Sequence, residues 1–287
     1  MRELAGNLSL LSINTATLRK QLPLPAIIEA CAARGIGAIC PWRDQVHAAG
    51  LDTIARQIRQ TGIGVSGYCR GGFFPAADTA GLRAALEDNR IAVDEAKTVG
   101  APCLVLVVGA LPGALTGKPA HKDIGLARTQ VFDGIAATLE YARQVGMPLA
   151  IEPLHPMQGA DRACVNTLEQ ALDICDALDP GRTAALGVAL DVYHVWWDPK
   201  LAGQIARAGA ERLLAYHVCD WLVPTRDLLN DRGMMGDGIV ELKKVRALVE
   251  AAGYRRPIEV EIFSDAWWSR DAGEVLDTCI ARYNTVV

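Results

Sequence analysis

Short apolar runs alternate with longer segments of helical periodicity along the whole chain. Runs rich in Val, Ile and Leu are typical of buried parallel strands, and the segments after them carry apolar residues at the spacing of an amphipathic helix. This alternation predicts βαβ units on a parallel sheet. Eight strands are predicted: Ser9–Asn14, Ala38–Pro41, Gly64–Tyr68, Cys103–Val108, Pro148–Glu152, Leu186–Asp191, Leu213–Val218 and Ile258–Ile262.

Helices are predicted between these strands, and several end at a glycine suited to positive φ, such as Gly35, Gly62 and Gly146. An open doubly wound sheet usually has a glycine-rich turn after its first strand, and residues 14–17 are not one. We therefore predict a (β/α)₈ TIM barrel, formed as a single domain by residues 1–287, since such a barrel needs about 250 residues. The predicted helices are Leu24–Ala33, Asp52–Thr61, Ala80–Val99, Leu126–Val145, Thr167–Leu178, Lys200–Ala208, Glu241–Ala252 and Ala272–Tyr283.

The composition narrows the classes of partner. With 51% hydrophobic and 22% charged residues, the chain can build a large core. A formal net charge of -4 argues against a nucleic-acid partner, because binding phosphates needs a basic surface. None of the eight cysteines forms a C-x-x-C pair, so we expect reduced, mostly buried thiols. No signal-peptide pattern or long apolar stretch is present, and we expect a cytoplasmic protein without a membrane partner.

Four late strands each end in a possible metal ligand. The runs Leu149–Glu152, Gly187–Asp191, Leu214–His217 and Ile258–Glu261 finish in a carboxylate, a carboxylate, an imidazole and a carboxylate. Each interval between these residues can hold one helix and its loops, so they belong to successive βα units. Active-site groups of such barrels lie at the C-terminal ends of the strands, where side chains of neighbouring strands converge.

Three carboxylates near one point repel each other, and a divalent cation would remove that cost. The sequence therefore predicts one metal ion bound by Glu152, Asp191, His217 and Glu261. An oxygen-rich set with one imidazole favours Mn²⁺ or Mg²⁺, with Co²⁺ and Zn²⁺ as alternatives.

These motifs resemble the xylose-isomerase-like barrel superfamily, which contains sugar and sugar-phosphate isomerases and epimerases as well as metal-dependent endonucleases. The resemblance covers nearly the whole chain and is strongest in its second half. It rests on Ile151–Pro156, Leu190–His194, His217–Asp220, Glu259–Phe263 and the Gly-acid-Gly turn Gly236–Gly238.

The resemblance implies the same four metal ligands and assigns Glu152 and Glu261 as acid and base on opposite faces of the substrate carbon. It further implies that His194 touches a substrate oxygen, or a second metal in nuclease-like members. Proton removal beside a carbonyl needs such help, because the proton is too weakly acidic to leave at pH 7 unless a metal stabilises the enediolate.

Other residues are candidates for binding the substrate. His155 follows Glu152, while Trp42 could stack on a sugar face and Arg43 could bind a carboxylate or phosphate. Residues 220–237 are long for a βα loop and suggest a lid or specificity loop that includes Arg226. Glu259 should point to the same face as Glu261 and lie one layer deeper, either in support of the site or paired with an arginine.

The leading hypothesis is a metal-dependent isomerase or epimerase of a ketose, keto acid or related polyol. A metal-dependent lyase that dehydrates a keto-cyclitol would start from the same enediolate. An endonuclease would need more than the five histidines present and a basic face. The expected partner is a small carbohydrate-like molecule, and the sequence leaves a homo-oligomer open.

Overall fold

A parallel β-barrel surrounded by helices forms the frame of the protein. The computed structural model describes residues 2–287. Its strands are β1 (Leu11–Asn14), β2 (Ala38–Cys40), β3 (Gly64–Val65), β4 (Tyr68–Gly72), β5 (Leu104–Val107), β6 (Leu149–Ile151), β7 (Leu186–Asp191), β8 (Leu213–Val218), β9 (Asp220–Trp221), β10 (Arg232–Gly233) and β11 (Ile258–Val260).

The barrel sheet has the order β3-β2-β1-β11-β8-β7-β6-β5-β4, and every pair in it is parallel. β3 and β4 are two parts of one barrel strand, because β3 pairs with β2 while β4 pairs with β5. A parallel bridge between Trp42 and Cys69 closes the ring. The eight-stranded TIM barrel predicted from the sequence is thus confirmed.

Helices follow the strands around the outside of the barrel. They are α1 (Leu24–Ala33), α2 (Arg43–Ala49), α3 (Leu51–Thr61), α4 (Thr79–Thr98), α5 (Ile124–Val145), α6 (Leu168–Leu178), α7 (Val192–Val195), α8 (Leu201–Arg212), α9 (Leu242–Ala251), α10 (Asp265–Trp268) and α11 (Ala272–Thr285). All eight predicted helices are present. The short helices α2, α7 and α10 were not predicted, and α8 continues past Ala208 through a kink at Gly209.

Alternation along each strand separates two buried layers. Residues such as Ile13, Leu190 and Val260 face the helices and belong to the large apolar core. Inside the barrel the side chains are small, including Cys69, Ala150 and Ala189. Since successive side chains point to opposite faces, this inner layer leaves space for longer polar groups at the strand ends.

All eight cysteines are free and buried, as expected from the sequence. Within residues 2–287, the helices are all too short or too polar to span a membrane.

The long segment after β8 is folded against the barrel mouth. β9 and β10 pair antiparallel within it. Asp220, at the start of the segment, binds the end of it, since its carboxylate accepts hydrogen bonds from the backbone N–H groups of Gly236 (2.9 Å) and Val240 (2.9 Å). Arg232 is attached to the segment after β11 through its backbone N–H, which donates to the carbonyl of Phe263 (2.9 Å). The side chain of Arg232 consequently enters the barrel.

Candidate metal centre and active site

Four buried side chains from neighbouring strands meet at the C-terminal mouth of the barrel. Glu152 follows β6, Asp191 ends β7, His217 lies in β8 and Glu261 follows β11. One ligand atom from each of them lies within 4.8 Å of every other. The register explains the convergence, because Asp191 pairs directly with His217 and both point inward.

The imidazole of His217 connects two layers of carboxylates. Its Nδ1 lies 3.1 Å from Oε1 of Glu152 and 3.6 Å from Oε2 of Glu261. Its Nε2 lies 3.5 Å from Oε1 of Glu259. Glu259 is the register partner of His217 on β11 and lies one layer deeper in the barrel than Glu261. Histidines that bind metals commonly direct the second ring nitrogen to a carboxylate, which fixes the ring orientation.

A buried polar network supports this arrangement from below. The side-chain amide of Asn14 donates to Glu259 (2.8 Å) and to Glu261 (2.9 Å). Ser66 donates to the other oxygen of Glu259 (2.7 Å). Glu259 therefore supports the site through neutral partners and His217, and the alternative of an arginine partner is not observed.

Arg232 is the cation closest to the carboxylates. Its Nη1 lies 2.7 Å from Oδ2 of Asp191 and 3.1 Å from Oε2 of Glu261. Its Nη2 lies 3.2 Å from Nε2 of His194. The guanidinium also stacks 4.5 Å from the ring centroid of Tyr193. A buried positive charge thus offsets part of the carboxylate repulsion.

The pKa values of Glu152 and Glu261 are shifted in opposite directions. Burial raises the pKa of Glu152, and the charges of Glu261 and Asp191 add to the rise, to about 7 despite the hydrogen bond with His217. Burial also acts to raise the pKa of Glu261, but the positive charge of Arg232 outweighs it and holds that pKa below its usual range. The two carboxyl groups therefore differ in protonation near neutral pH.

The pKa of His217 is raised well above its ordinary value. Burial acts to lower it, but the charge of Glu259 and the hydrogen bonds to Glu152 and Glu261 outweigh burial. Three carboxylates and one imidazole within bonding reach of one point form a set that suits a divalent cation. The residues present fit the predicted metal, and the cation would replace the proton on His217.

Glu152 and Glu261, two of the four ligand candidates, line a cavity of about 600 Å³. Three of the predicted substrate residues lie on its wall: Trp42, Arg43 and His194. The indole N–H of Trp42 donates to Oδ1 of Asn14 (2.7 Å), which ties it to the network below Glu261. Arg43 is already bound, because its guanidinium donates to Asp88 (2.9 and 3.0 Å) and Glu95 (2.8 Å).

His194 is almost fully buried beside Asp191. Its Nδ1 lies 3.1 Å from the backbone N–H of His155, and its Nε2 lies 3.2 Å from Nη2 of Arg232, which can only donate. Burial lowers the pKa of His194 to about 3, and the ring is therefore neutral. Because a neutral ring accepts at one nitrogen and carries a proton on the other, only one of these two contacts is a hydrogen bond at a time.

The other two predicted substrate residues do not line the cavity. The ring of His155 stacks on Trp221 with centroids 4.7 Å apart. Arg226 donates to Asp231 (2.6 and 3.1 Å), and its side chain is 70% exposed. Their contact with a substrate stays a prediction. Arg232, six positions after Arg226 in the same loop, lies where Arg226 was expected to act.

Comparisons with known proteins agree with this architecture. A family model described as xylose isomerase-like TIM barrel matches residues 28–281. The inosose isomerase of Bacillus velezensis is 24% identical over 221 residues, which cover 75% of this chain and 72% of that protein.

Two solved structures are also similar. The crystal structure of protein SMc04130 from Sinorhizobium meliloti 1021 is 57% identical, with a TM-score of 0.92 and coverage of 98% of this chain and 99% of that one. The structure of the IolI protein with a bound zinc atom is 20% identical, with a TM-score of 0.80 and coverage of 96% and 98%. The match to the family model extends over nearly the whole sequence, and the chain belongs to the xylose isomerase-like TIM barrel family.

Proposed function

We propose that the protein is a divalent-metal-dependent isomerase or epimerase of a ketose, keto acid or related polyol. One observation carries the proposal: three carboxylates and an imidazole converge, all buried, at the mouth of the barrel. The similarity to an inosose isomerase supports a carbohydrate-like substrate. The zinc atom bound to the similar IolI protein supports a metal ion in a barrel of this fold.

Glu152, Asp191, His217 and Glu261 would hold the ion, and Mn²⁺, Mg²⁺, Zn²⁺ or Co²⁺ suits that donor set. When bound, such an ion would polarise the substrate carbonyl and stabilise negative charge on its oxygen. The side chains below and beside these four keep them in place, because Asn14 and Arg232 bind Glu261 while Glu259 orients His217.

Glu152 and Glu261 are the proposed acid and base. Both line the cavity, and they belong to different strands, so they approach a bound substrate from different sides. From the charges of the protein alone, Glu261 is ionised and Glu152 titrates near neutral pH. Glu261 is therefore suited to remove the proton beside the carbonyl, and Glu152 is suited to return one.

Arg232 and His194 are proposed to orient the substrate. Each lines the cavity beside the ligand set. The N–H groups of Arg232 can donate to hydroxyl or carbonyl oxygens, and the neutral ring of His194 offers one N–H and one acceptor nitrogen. The rings of Trp42 and Phe263 cover the same mouth, with centroids 5.4 Å apart, and would limit access of water to the reacting carbon.

Deuterium uptake tests the proposal. Protein loaded with Mn²⁺ is incubated in D₂O with a panel of ketoses and keto-cyclitols, and exchange at the carbon beside the carbonyl is followed by NMR. We expect exchange for at least one compound, its loss after treatment with EDTA, and its loss in both Glu152→Gln and Glu261→Gln. The control is Glu241→Gln, which changes an exposed carboxylate on the surface and should keep full exchange.

The products separate the possible reactions. A change of configuration or of carbonyl position without loss of water supports the proposal. Loss of water would identify a lyase and overturn the isomerase assignment. Exchange that survives in either glutamine variant would remove that glutamate from the acid–base role.

A further inference from the structure

Two arginines on the cavity wall have no ion-pair or side-chain hydrogen-bond partner among residues 2–287. Arg70 lies in β4, and Arg162 lies in the loop that follows β6. Both line the same cavity as Glu152 and Glu261. Neither side chain forms an ion pair within 4 Å or donates a side-chain hydrogen bond to the rest of the described chain.

The remaining arginines of the cavity are neutralised by nearby acids. Arg43 is bound to Asp88 and Glu95, and Arg232 is bound to Asp191 and Glu261. Arg19 is paired with Asp44. Each of the cavity's acids thus has a closer cation or is a proposed metal ligand, and no acid lies within ion-pair distance of Arg70 or Arg162.

Asp161 precedes Arg162 in the sequence but does not neutralise it. The Asp161 side chain lines a separate, smaller cavity, and its Oδ1 is buried without a hydrogen-bond partner. No ion pair joins it to Arg162 within the described part of the chain. Asp161 is therefore not a counter-ion of Arg162.

Arg70 is held in place despite lacking a counter-ion. Its guanidinium lies over the ring of Phe73 at 4.0 Å from the centroid. Phe73 has a positive φ of 53°, an uncommon conformation for a large side chain that is typically retained at functional sites. Burial lowers the pKa of Arg70; the charges of Arg162 and Arg43 add to this fall, while those of Cys69 and Asp44 oppose it. Repulsion and desolvation both disfavour this placement, which is the condition that an anionic ligand would relieve.

The position of the pair defines which part of a ligand it can reach. β4 completes the third strand of the ring and β8 is the seventh, so Arg70 lies across the barrel mouth from His217. A substrate whose carbonyl lies at the four ligand side chains would extend its other end toward Arg70 and Arg162. Arg70 is thus placed to bind a group remote from the reacting carbon, and Arg162 lines the same cavity from the loop after β6.

We propose that the substrate is anionic and that Arg70 and Arg162 bind its carboxylate or phosphate group at the end away from the carbonyl. This inference rests on the proposed function and adds the substrate class to it. Guanidinium groups bind both kinds of anion through paired hydrogen bonds. A neutral sugar would cover the two guanidinium groups without pairing their charges, so it should bind more weakly.

Three compounds that differ only at C6 test the inference: D-fructose, D-fructuronate and D-fructose 6-phosphate. Their binding to the Mn²⁺-loaded protein is measured by titration calorimetry at constant ionic strength, and exchange in D₂O is measured on the same samples. We expect one or both anions to bind at least about tenfold more tightly than fructose, which matches one charged hydrogen bond. The anion that binds best identifies the source of the negative charge.

Variants then assign the preference to the two arginines. Arg70→Gln, Arg162→Gln and the double variant should lose the preference for the anion, and the double variant should bind all three compounds alike. Arg83→Gln is the matched control, because Arg83 is exposed on α4 and lines a different groove. If Arg70→Gln fails to fold, the loop variant Arg162→Gln still tests the claim.

The outcomes distinguish this inference from the proposed function. Equal binding of the three compounds, no binding of any of them, or a preference that survives in the double variant overturns the inference. Fructose that exchanges as well as its acid would keep the isomerase proposal and reject the anionic substrate. Tight, arginine-dependent binding of the anions supports the anion site, and its occurrence without exchange would count against the proposed function alone.

Discussion

Replacement of Arg232 by methionine is the change whose effect the structure defines most closely. The Arg232 side chain is 5% exposed and contacts the carboxylates of Asp191 (2.7 Å) and Glu261 (3.1 Å). Arg232→Met would leave two buried carboxylates without their cation while keeping most of the apolar stem. Removing one partner of a buried ion pair typically costs about 3–5 kcal/mol, so we expect a loss of that order in the free energy of unfolding of the metal-free protein.

A bound divalent ion changes the size of this loss. Because it would neutralise the same carboxylates, the cost of Arg232→Met should be clearly smaller with metal than without it. The cost should also fall at low pH. Arg232 holds the pKa of Glu261 below its usual range, so the stabilisation is present above the unfolded carboxyl pKa and is lost as pH falls through the depressed folded value.

Urea unfolding in EDTA and in excess Mn²⁺ measures both values. Lys244→Met is the control, since Lys244 pairs with Glu241 and both side chains are about 70% exposed. We expect little change for this control in either condition. Equal destabilisation by Arg232→Met with and without metal would refute the view that the guanidinium and the ion neutralise the same carboxylates.

Three further changes have defined outcomes. Metal affinity should rise from pH 6 to pH 8, because Glu152 and His217 must lose their protons to bind the ion. The pKa of Glu152 is raised to about 7, and that of His217 is raised well above its ordinary value. Calorimetry in buffers of different ionisation enthalpy should detect one to two protons released, and a pH-independent affinity would contradict this. Glu259→Gln should weaken metal binding by about 10–100-fold in a metal titration, with the fold unchanged by circular dichroism; an unaltered affinity would show that Glu259 does not orient the imidazole. Asp179→Asn should cost about 3–5 kcal/mol in urea unfolding, because it removes the nearer of two anions beside fully buried Arg212, at 2.8 Å against 3.5 Å for Asp176. A loss below about 1 kcal/mol would mean that Asp176 and the backbone carbonyls around Arg212 suffice.

The ligand set could be predicted because it depends on local patterns. Glu152, Asp191, His217 and Glu261 each end an apolar run, and parallel strands bring their C-terminal ends to one edge. Asn14 ends the first strand in the same way, so its place at the site could have been predicted from the same pattern. Polar strand ends are thus informative wherever the strand itself is clearly apolar.

Residues that depend on tertiary contacts could not be predicted. Arg232 reaches the carboxylates only because β9 and β10 pair and because its backbone binds Phe263, and neither contact has a local sequence signal. Arg70 was missed because the third strand was predicted to end at Tyr68. β4 continues to Gly72 through two glycines, which disfavour a strand on their own, and pairing with β5 keeps this segment extended.

Anomalous diffraction from crystals soaked in Mn²⁺ tests the central claim most directly. We predict one strong peak per chain, at about 2.0–2.3 Å from a carboxylate oxygen of Glu152, Asp191 and Glu261 and from a ring nitrogen of His217. The peak should disappear in Asp191→Asn crystals under the same soak. No peak among these four side chains, or a peak bound by other residues, would contradict the metal centre and the function proposed from it.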